Sequence, residues 1–327
     1  MIYPKFLNSD SCIGVSAVSM GVLDKKDSYI KSRSNIEKYF KVVEDNNVMK
    51  GGVASNSGYN RAMEFNRLIS DNNIDMILSA SGGEILIDML PYIDTTNIIN
   101  KQKWVEGYSD PSSLLYLITC KCDIATIYGA NAGSFDMDVL YPSLKYNIDL
   151  LKGIIKIQNS YSKYESFGSD RDVSGSYNLN HNVKWISNKN DINISGRLIG
   201  GCIDALNDIV GSYFDYTDEF IKKYYDDGFI WYFDIYSMSS IQLYRTLFHM
   251  KYTGWFKNCK CFIFGRVLIE NNEFISYKDA IEMALGDIPY IMDADIGHTK
   301  PSMTLINGSY ATIKYKDNKG SIEMELK

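Results

Sequence analysis

The chain has 327 residues, 45% of them hydrophobic, enough to bury sizeable cores and of a length that predicts two domains. Asp and Glu number 40 against 34 Lys and Arg, a formal charge of −6 without basic runs; this argues against nucleic acid as a partner, because phosphate neutralisation needs clustered cations. No apolar run reaches the about 18 residues of a spanning helix, and Pro4, Asp10 and several serines interrupt the opening stretch, so the sequence predicts no membrane span, no signal peptide and a cytoplasmic setting.

In chain order, Cys12 to Ser19 predicts a short buried strand. Lys31 to Val43 predicts a helix with Ile36, Tyr39 and Phe40 on one face, and Arg61 to Asn72 predicts another through Met63, Phe65, Leu68 and Ile69. Asp75 to Ser81 reads as a buried strand closed by Gly82 and Gly83, followed by an apolar helix over Glu84 to Tyr92. Trp104 to Glu106 predicts a strand, Ser112 to Thr119 a helix, and Tyr141 to Ile157 a helix closing this half. Strands alternating with helices point to a parallel sheet whose ligands gather at the carboxyl ends of the strands.

Gln158 to Asn190 is polar, contains Gly168 and Gly175, and reads as a long connection serving as linker or functional cover. Gly196 to Gly201 opens the second half, with a helical stretch after it. Phe229 to Tyr236 is strand-like, Ser239 to Tyr252 helical, Cys259 to Leu268 strand-like, and Ile288 to Ala294 a buried strand leading to a loop with Gly297, His298 and Pro301. Ser309 to Leu326 predicts a hairpin turning at Asp317 to Gly320. The expected division is 1–157, a connection over 158–190, and 191–327. The six cysteines include two Cys-Lys-Cys pairs, Cys120/Cys122 and Cys259/Cys261, which lack zinc-ligand spacing, so buried thiols are expected rather than a metal site.

Gly107-Tyr108-Ser109-Asp110-Pro111 follows a strand and opens a helix, with Pro111 suited to the first turn. A serine on such a turn exposes its hydroxyl at the sheet edge beside unpaired helix N–H groups, the logic of a nucleophile elbow. Ser109 or Asp110 acting only as a helix cap is the competing reading. The chain has three histidines. His249 lies in an apolar helical stretch, where packing or a surface ring explains it, and His181 lies in the polar connection. His298 follows a strand beside Gly297 on a constrained loop, where catalytic residues collect, although an ordinary loop histidine fits as well. Asp234 ends the apolar run Phe229 to Phe233; a carboxylate there needs a partner, unless it is an ordinary strand-end acid. Ser109, Asp234 and His298 follow the chain order of other triad hydrolases.

These pieces, in this order, resemble the LD-carboxypeptidase family of serine peptidases, which includes the microcin-immunity peptidases. The motifs are Tyr3-Pro4 with Ile13-Gly14-Val15 through Ser19; Ser81-Gly82-Gly83 with Leu90 to Asp94; Lys103 through Gly107-Tyr108-Ser109-Asp110; Gly196 to Gly201; and Ile288-Pro289 through Gly297-His298, then Thr304-Leu305 and Gly308. The resemblance implies an α/β chain: an amino-terminal Rossmann-like parallel-sheet domain plus a carboxy-terminal α/β domain with a mixed sheet, and a site between them. It implies Ser109 as nucleophile, His298 as general base, and the N–H groups of Gly83 and Asp110 as oxyanion hole. It further implies no metal, no cofactor, a homodimer, and a small peptide substrate, either a muropeptide or a peptidyl-nucleotide. Asp234 stands where the family has glutamate, Cys202 where it has asparagine, and Ala130 where proline is usual. Glu84 would add negative charge near the pocket and disfavour anions. A relative that keeps the fold and binds peptides without catalysis is the second expectation.

Overall fold

In the computed structural model the described residues are 1–165, 176–272 and 274–327, so residues 166–175 of the polar connection, including Gly168 and Gly175, lie outside them. The first half alternates strands β1 (Cys12–Ser16), β2 (Lys41–Glu44), β3 (Met76–Ser79), β4 (Trp104–Gly107) and β5 (Thr126–Tyr128) with helices α1 (Lys26–Ile36), α2 (Gly58–Ser70), α3 (Thr95–Lys101) and α4 (Ser112–Cys122), and α5 (Pro142–Leu151) follows. The five strands pair in parallel in the order β2-β1-β3-β4-β5. Their carboxyl ends carry Ser19, Gly82-Gly83 and Ser109 to one edge of the sheet, where open α/β sheets bind ligands.

Two expectations here are corrected. The helix predicted over Lys31 to Val43 spans Lys26–Ile36 instead, and Lys41–Glu44 is a strand; β-branched Val42 and Val43 suit pairing beside β1. Glu84 to Tyr92 contains a 3₁₀ helix over Leu86–Tyr92 rather than a long α-helix, because Pro91 lies inside it and cannot donate its share of the ladder.

The connection is more than a polar cover. It contributes β6 (Gln158–Asn159), β7 (Lys163–Tyr164), β8 (His181–Asn182) and β9 (Ile186–Ser187), and its Trp185 is fully buried. The second half continues with β10 (Asp191–Cys202), α6 (Ile203–Leu206), α7 (Thr217–Lys223), β11 (Phe229–Asp234), α8 (Ser240–Tyr252), β12 (Cys259–Gly265), α9 (Tyr277–Leu285), β13 (Tyr290–Ala294), β14 (Leu305–Asn307), β15 (Tyr310–Lys316) and β16 (Lys319–Glu325). An eight-stranded mixed sheet runs β6-β16-β15-β10-β11-β12-β13-β9, with β10 to β13 parallel. Every residue of β11 is buried, as expected of a central parallel strand covered on both faces. Asp317 and Asn318 both have positive φ, the conformation that closes the tight β15–β16 hairpin.

Two features join the halves. Helix α4 is buried along almost its whole length: its Ser112 Oγ accepts from the Cys202 N–H at 2.8 Å, and Tyr116 stacks on Trp255 at 4.9 Å. Strand β14 leaves the second half to pair antiparallel with β5, completing a six-stranded first sheet. Its Asn307, fully buried, accepts from the Gly200 N–H (3.1 Å) and the Tyr232 hydroxyl (2.8 Å). Asn307→Ala would orphan both donors, and at about 1–3 kcal/mol each the expected loss is about 2–6 kcal/mol. Urea unfolding checks this; an unchanged midpoint would contradict it.

Candidate active site

Ser109 occupies the turn between β4 and α4 with φ of 69°, a left-handed conformation that a non-glycine residue adopts only where its surroundings impose it. The turn is tight: a Cβ on Gly107 would sit 2.8 Å from Pro111 and 2.9 Å from Ser79. Asp110 does not serve as a free acid. Its buried carboxylate accepts from the Ser19 hydroxyl and, at 2.9 Å, from the Leu86 N–H, tying the loop after β1 to the segment after Gly83; burial raises its pKa. Arg61, also fully buried, braces the same loops through the carbonyls of Val18 (2.7 Å), Asn56 (3.0 Å) and Ile85 (3.2 Å) and through Asp88. Among the described residues no acceptor pairs with the N–H of Gly83 or of Asp110.

Ser109, His298 and Asp234 converge. His298 Nε2 lies 3.1 Å from Ser109 Oγ, and its Nδ1 lies 2.7 Å from Asp234 Oδ2. Asp234 is fully buried at the carboxyl end of β11. Its short side chain reaches the ring because the backbone of Gly297 passes directly over it: a Cβ at Gly297 would fall 1.9 Å from Asp234 Oδ1, and Gly297 has φ of 94°. The histidine loop is held from behind. Asp295 accepts from Arg266 (2.6 Å), the Trp185 indole (2.9 Å) and the Tyr161 N–H (3.0 Å), so the connection clamps the loop that carries His298.

Sequence reasoning missed Tyr128. Its hydroxyl donates to Asp234 Oδ2 at 2.7 Å, and burial, reinforced by that carboxylate, raises its pKa well above the ordinary value, so it stays a donor. The usable signal was its place at a strand end before Gly129, the same edge that carries Ser109. The imidazole is also flanked by Tyr108 (5.2 Å) and Tyr236 (4.4 Å). The remaining histidines stand apart: His181 is exposed and stacks on Tyr164, and His249 is exposed on α8. Cys202 is buried beside Asp234 in the β10–β11 register, and burial pushes its thiol pKa far up, which suits packing rather than nucleophilic chemistry. Glu84 is exposed, and Ala130 is half-buried after Gly129. Among the described residues no cluster of three His, Cys, Asp or Glu side chains could hold a metal ion, and no helix is long and apolar enough to cross a membrane.

Family models of the LD-carboxypeptidase N-terminal domain and C-terminal domain match residues 13–129 and 195–313. The chain belongs to the LD-carboxypeptidase family. Within it, the chain is 29% identical to the Microcin C7 self-immunity protein MccF of Escherichia coli over 276 residues, covering 79% of this chain and 76% of that one. Its fold matches the MccF-like protein of Bacillus anthracis with a TM-score of 0.84 at 23% identity, each chain covered completely. It also matches MccF in complex with aspartyl sulfamoyl adenosine with a TM-score of 0.82 at 23% identity, again over 100% of both chains.

One buried acid on β4 affects how stability depends on pH. Glu106, on β4, accepts from the Asn147 amide, and burial pushes its pKa up to about 8 from 4.5. The native protein therefore holds a proton that the unfolded chain has released between those two values. This contribution to stability is fully present below pH 4.5 and is lost as the pH rises to about 8. Glu106→Gln removes that dependence: in urea unfolding the wild type loses stability relative to the variant between pH 5 and 8. A difference independent of pH would contradict the assignment.

Proposed function

We propose that the protein is a serine peptidase that hydrolyses a peptide or amide bond in a murein-derived peptide or a peptidyl-nucleotide through an acyl-enzyme. The observation that carries this reading is the continuous relay from Ser109 Oγ to His298 Nε2 at 3.1 Å and from His298 Nδ1 to Asp234 at 2.7 Å. Ser109 attacks the carbonyl while His298 Nε2 takes its proton, and the same nitrogen returns it to the departing nitrogen. Asp234 holds the ring and stabilises the imidazolium, the role an acid plays in other triads. Tyr128 fixes Asp234 in turn, which offsets the side chain being one methylene shorter than glutamate. The Gly83 and Asp110 N–H groups are the proposed oxyanion donors, aimed at charge that develops only in the transition state. Water then attacks the acyl-enzyme with His298 as base.

The two substrate classes rest on family membership and on the bound aspartyl sulfamoyl adenosine of the neighbouring MccF structure. Family membership likewise supports a homodimer as the assembly and muropeptide turnover as one setting.

The test is incubation with a panel of murein tetrapeptides and a panel of peptidyl-nucleotides, with release of the terminal amino acid or nucleotide as readout. Wild type turns over at least one panel, and Ser109→Ala lowers kcat by about a thousandfold or more. Asp234→Asn costs a comparable factor, on the order of 10⁴, because it permits the wrong imidazole tautomer. Absence of turnover by wild type, or equal turnover by Ser109→Ala, would contradict the peptidase reading and leave a binding protein on the same fold.

A further inference from the structure

A narrow cavity of about 20 Å³ lies behind Tyr108, the neighbour of Ser109, and Tyr128, the partner of Asp234; Ala130, Asn147, Lys300 and Met303 also wall it. That volume admits one water-sized group. Lys300 is half-buried on the loop that carries His298, two residues further on. Its backbone is fixed, since its carbonyl accepts from the Glu165 N–H at 2.8 Å. Its ammonium donates to the Gly297 carbonyl at 3.2 Å and lies 4.3 Å from the centroid of the Tyr108 ring, whose residue adjoins the nucleophile. Among the described residues no carboxylate forms an ion pair with it. An ammonium carries three donors; with one on the Gly297 carbonyl and the Tyr108 ring against another side, at least one N–H remains to meet a ligand.

We propose that Lys300 is a specificity-determining residue whose ammonium holds the anionic group that follows the scissile bond. That anion is either the carboxylate of a departing amino acid or the phosphoryl group of a departing nucleotide. The assignment rests on the hydrolase reading of Ser109. Both ligands place a negative charge within about one residue of the bond to be cut, the 3.8 Å scale of a single chain step. The cavity is too small for either anion, which would meet the ammonium outside it; a compact ammonium suits either one as a point charge, and its half-buried setting weakens solvent screening. The opposition expected from Glu84 is weakened by its exposure, where water screens its field.

The experiment uses a tetrapeptide with a free terminal carboxylate, the same peptide as its carboxamide, and a peptidyl-nucleotide. In the Ser109→Ala background, calorimetry reads binding without turnover. The carboxylate peptide or the peptidyl-nucleotide binds about 10- to 100-fold more tightly than the carboxamide, the range of a hydrogen bond to a charged group. Adding Lys300→Met erases the preference, and Lys300→Arg retains most of it. The anion that loses affinity in Lys300→Met identifies the source. In the active enzyme Lys300→Met raises KM by a similar factor for that substrate and leaves kcat within about threefold, the pattern of lost ground-state binding. Equal affinity for carboxylate and carboxamide, no binding of any of the three, or equal losses for all three on Lys300→Met would overturn the proposal. A Lys300-dependent preference in a protein that hydrolyses nothing would uphold the anion site while overturning the peptidase reading and, with it, the place of that anion after a scissile bond.

Discussion

The buried carboxylate of Asp234 is the constraint around which the two halves are organised. An unpaired charge with no exposure costs several kcal/mol, so it persists only where partners surround it. The carboxylate and its partners come from three separate parts of the chain. Asp234 ends a strand of the second sheet, Tyr128 ends a strand of the first, and His298 sits on the loop after β13. Satisfying the carboxylate therefore requires the halves to be docked in one arrangement. Gly297 is the steric counterpart, because any side chain there would occupy the space of the carboxylate itself.

The rest of the molecule secures that docking. Helix α4 begins just after Ser109 and is held against the second half through Ser112, Ser113 and Tyr116. Strand β14 crosses back into the first sheet, and Asn307 bonds to groups on β10 and β11 while lying beside Thr126. The Asp295–Arg266 pair and Trp185 hold the histidine loop from the other side. The positions of Ser109, His298 and Asp234 are thus set by rigid elements and by a braced loop.

Ser109, Asp234 and His298 were legible because each sits beside a strand end flagged by local chemistry: a Gly-x-Ser turn, an acid after five apolar residues, and a Gly-His pair after a buried strand. The alternating first half was legible for the same reason, through clear changes of hydrophobic period. What was not legible depended on contacts between distant segments. Tyr128 is one of 25 tyrosines; its strand-end place before Gly129 marks the edge, but its partner is visible only in the bond across the junction. The role of Trp185 and the crossing of β14 are likewise tertiary facts, since a three-residue strand carries no period of its own. Helix α9 escaped notice although Ser276 and Asp279 form a capping box, a local signal that was available in the sequence. Lys300 has no local mark at all; its meaning comes from the ring and the cavity beside it.

The most direct measurement of whether Asp234 and His298 activate Ser109 is covalent labelling with a fluorophosphonate, followed by peptide mass spectrometry. The account predicts a single adduct on the peptide containing Ser109, formed by the wild type and lost in His298→Ala. No adduct, an adduct elsewhere, or equal labelling of Ser109 in His298→Ala would contradict it.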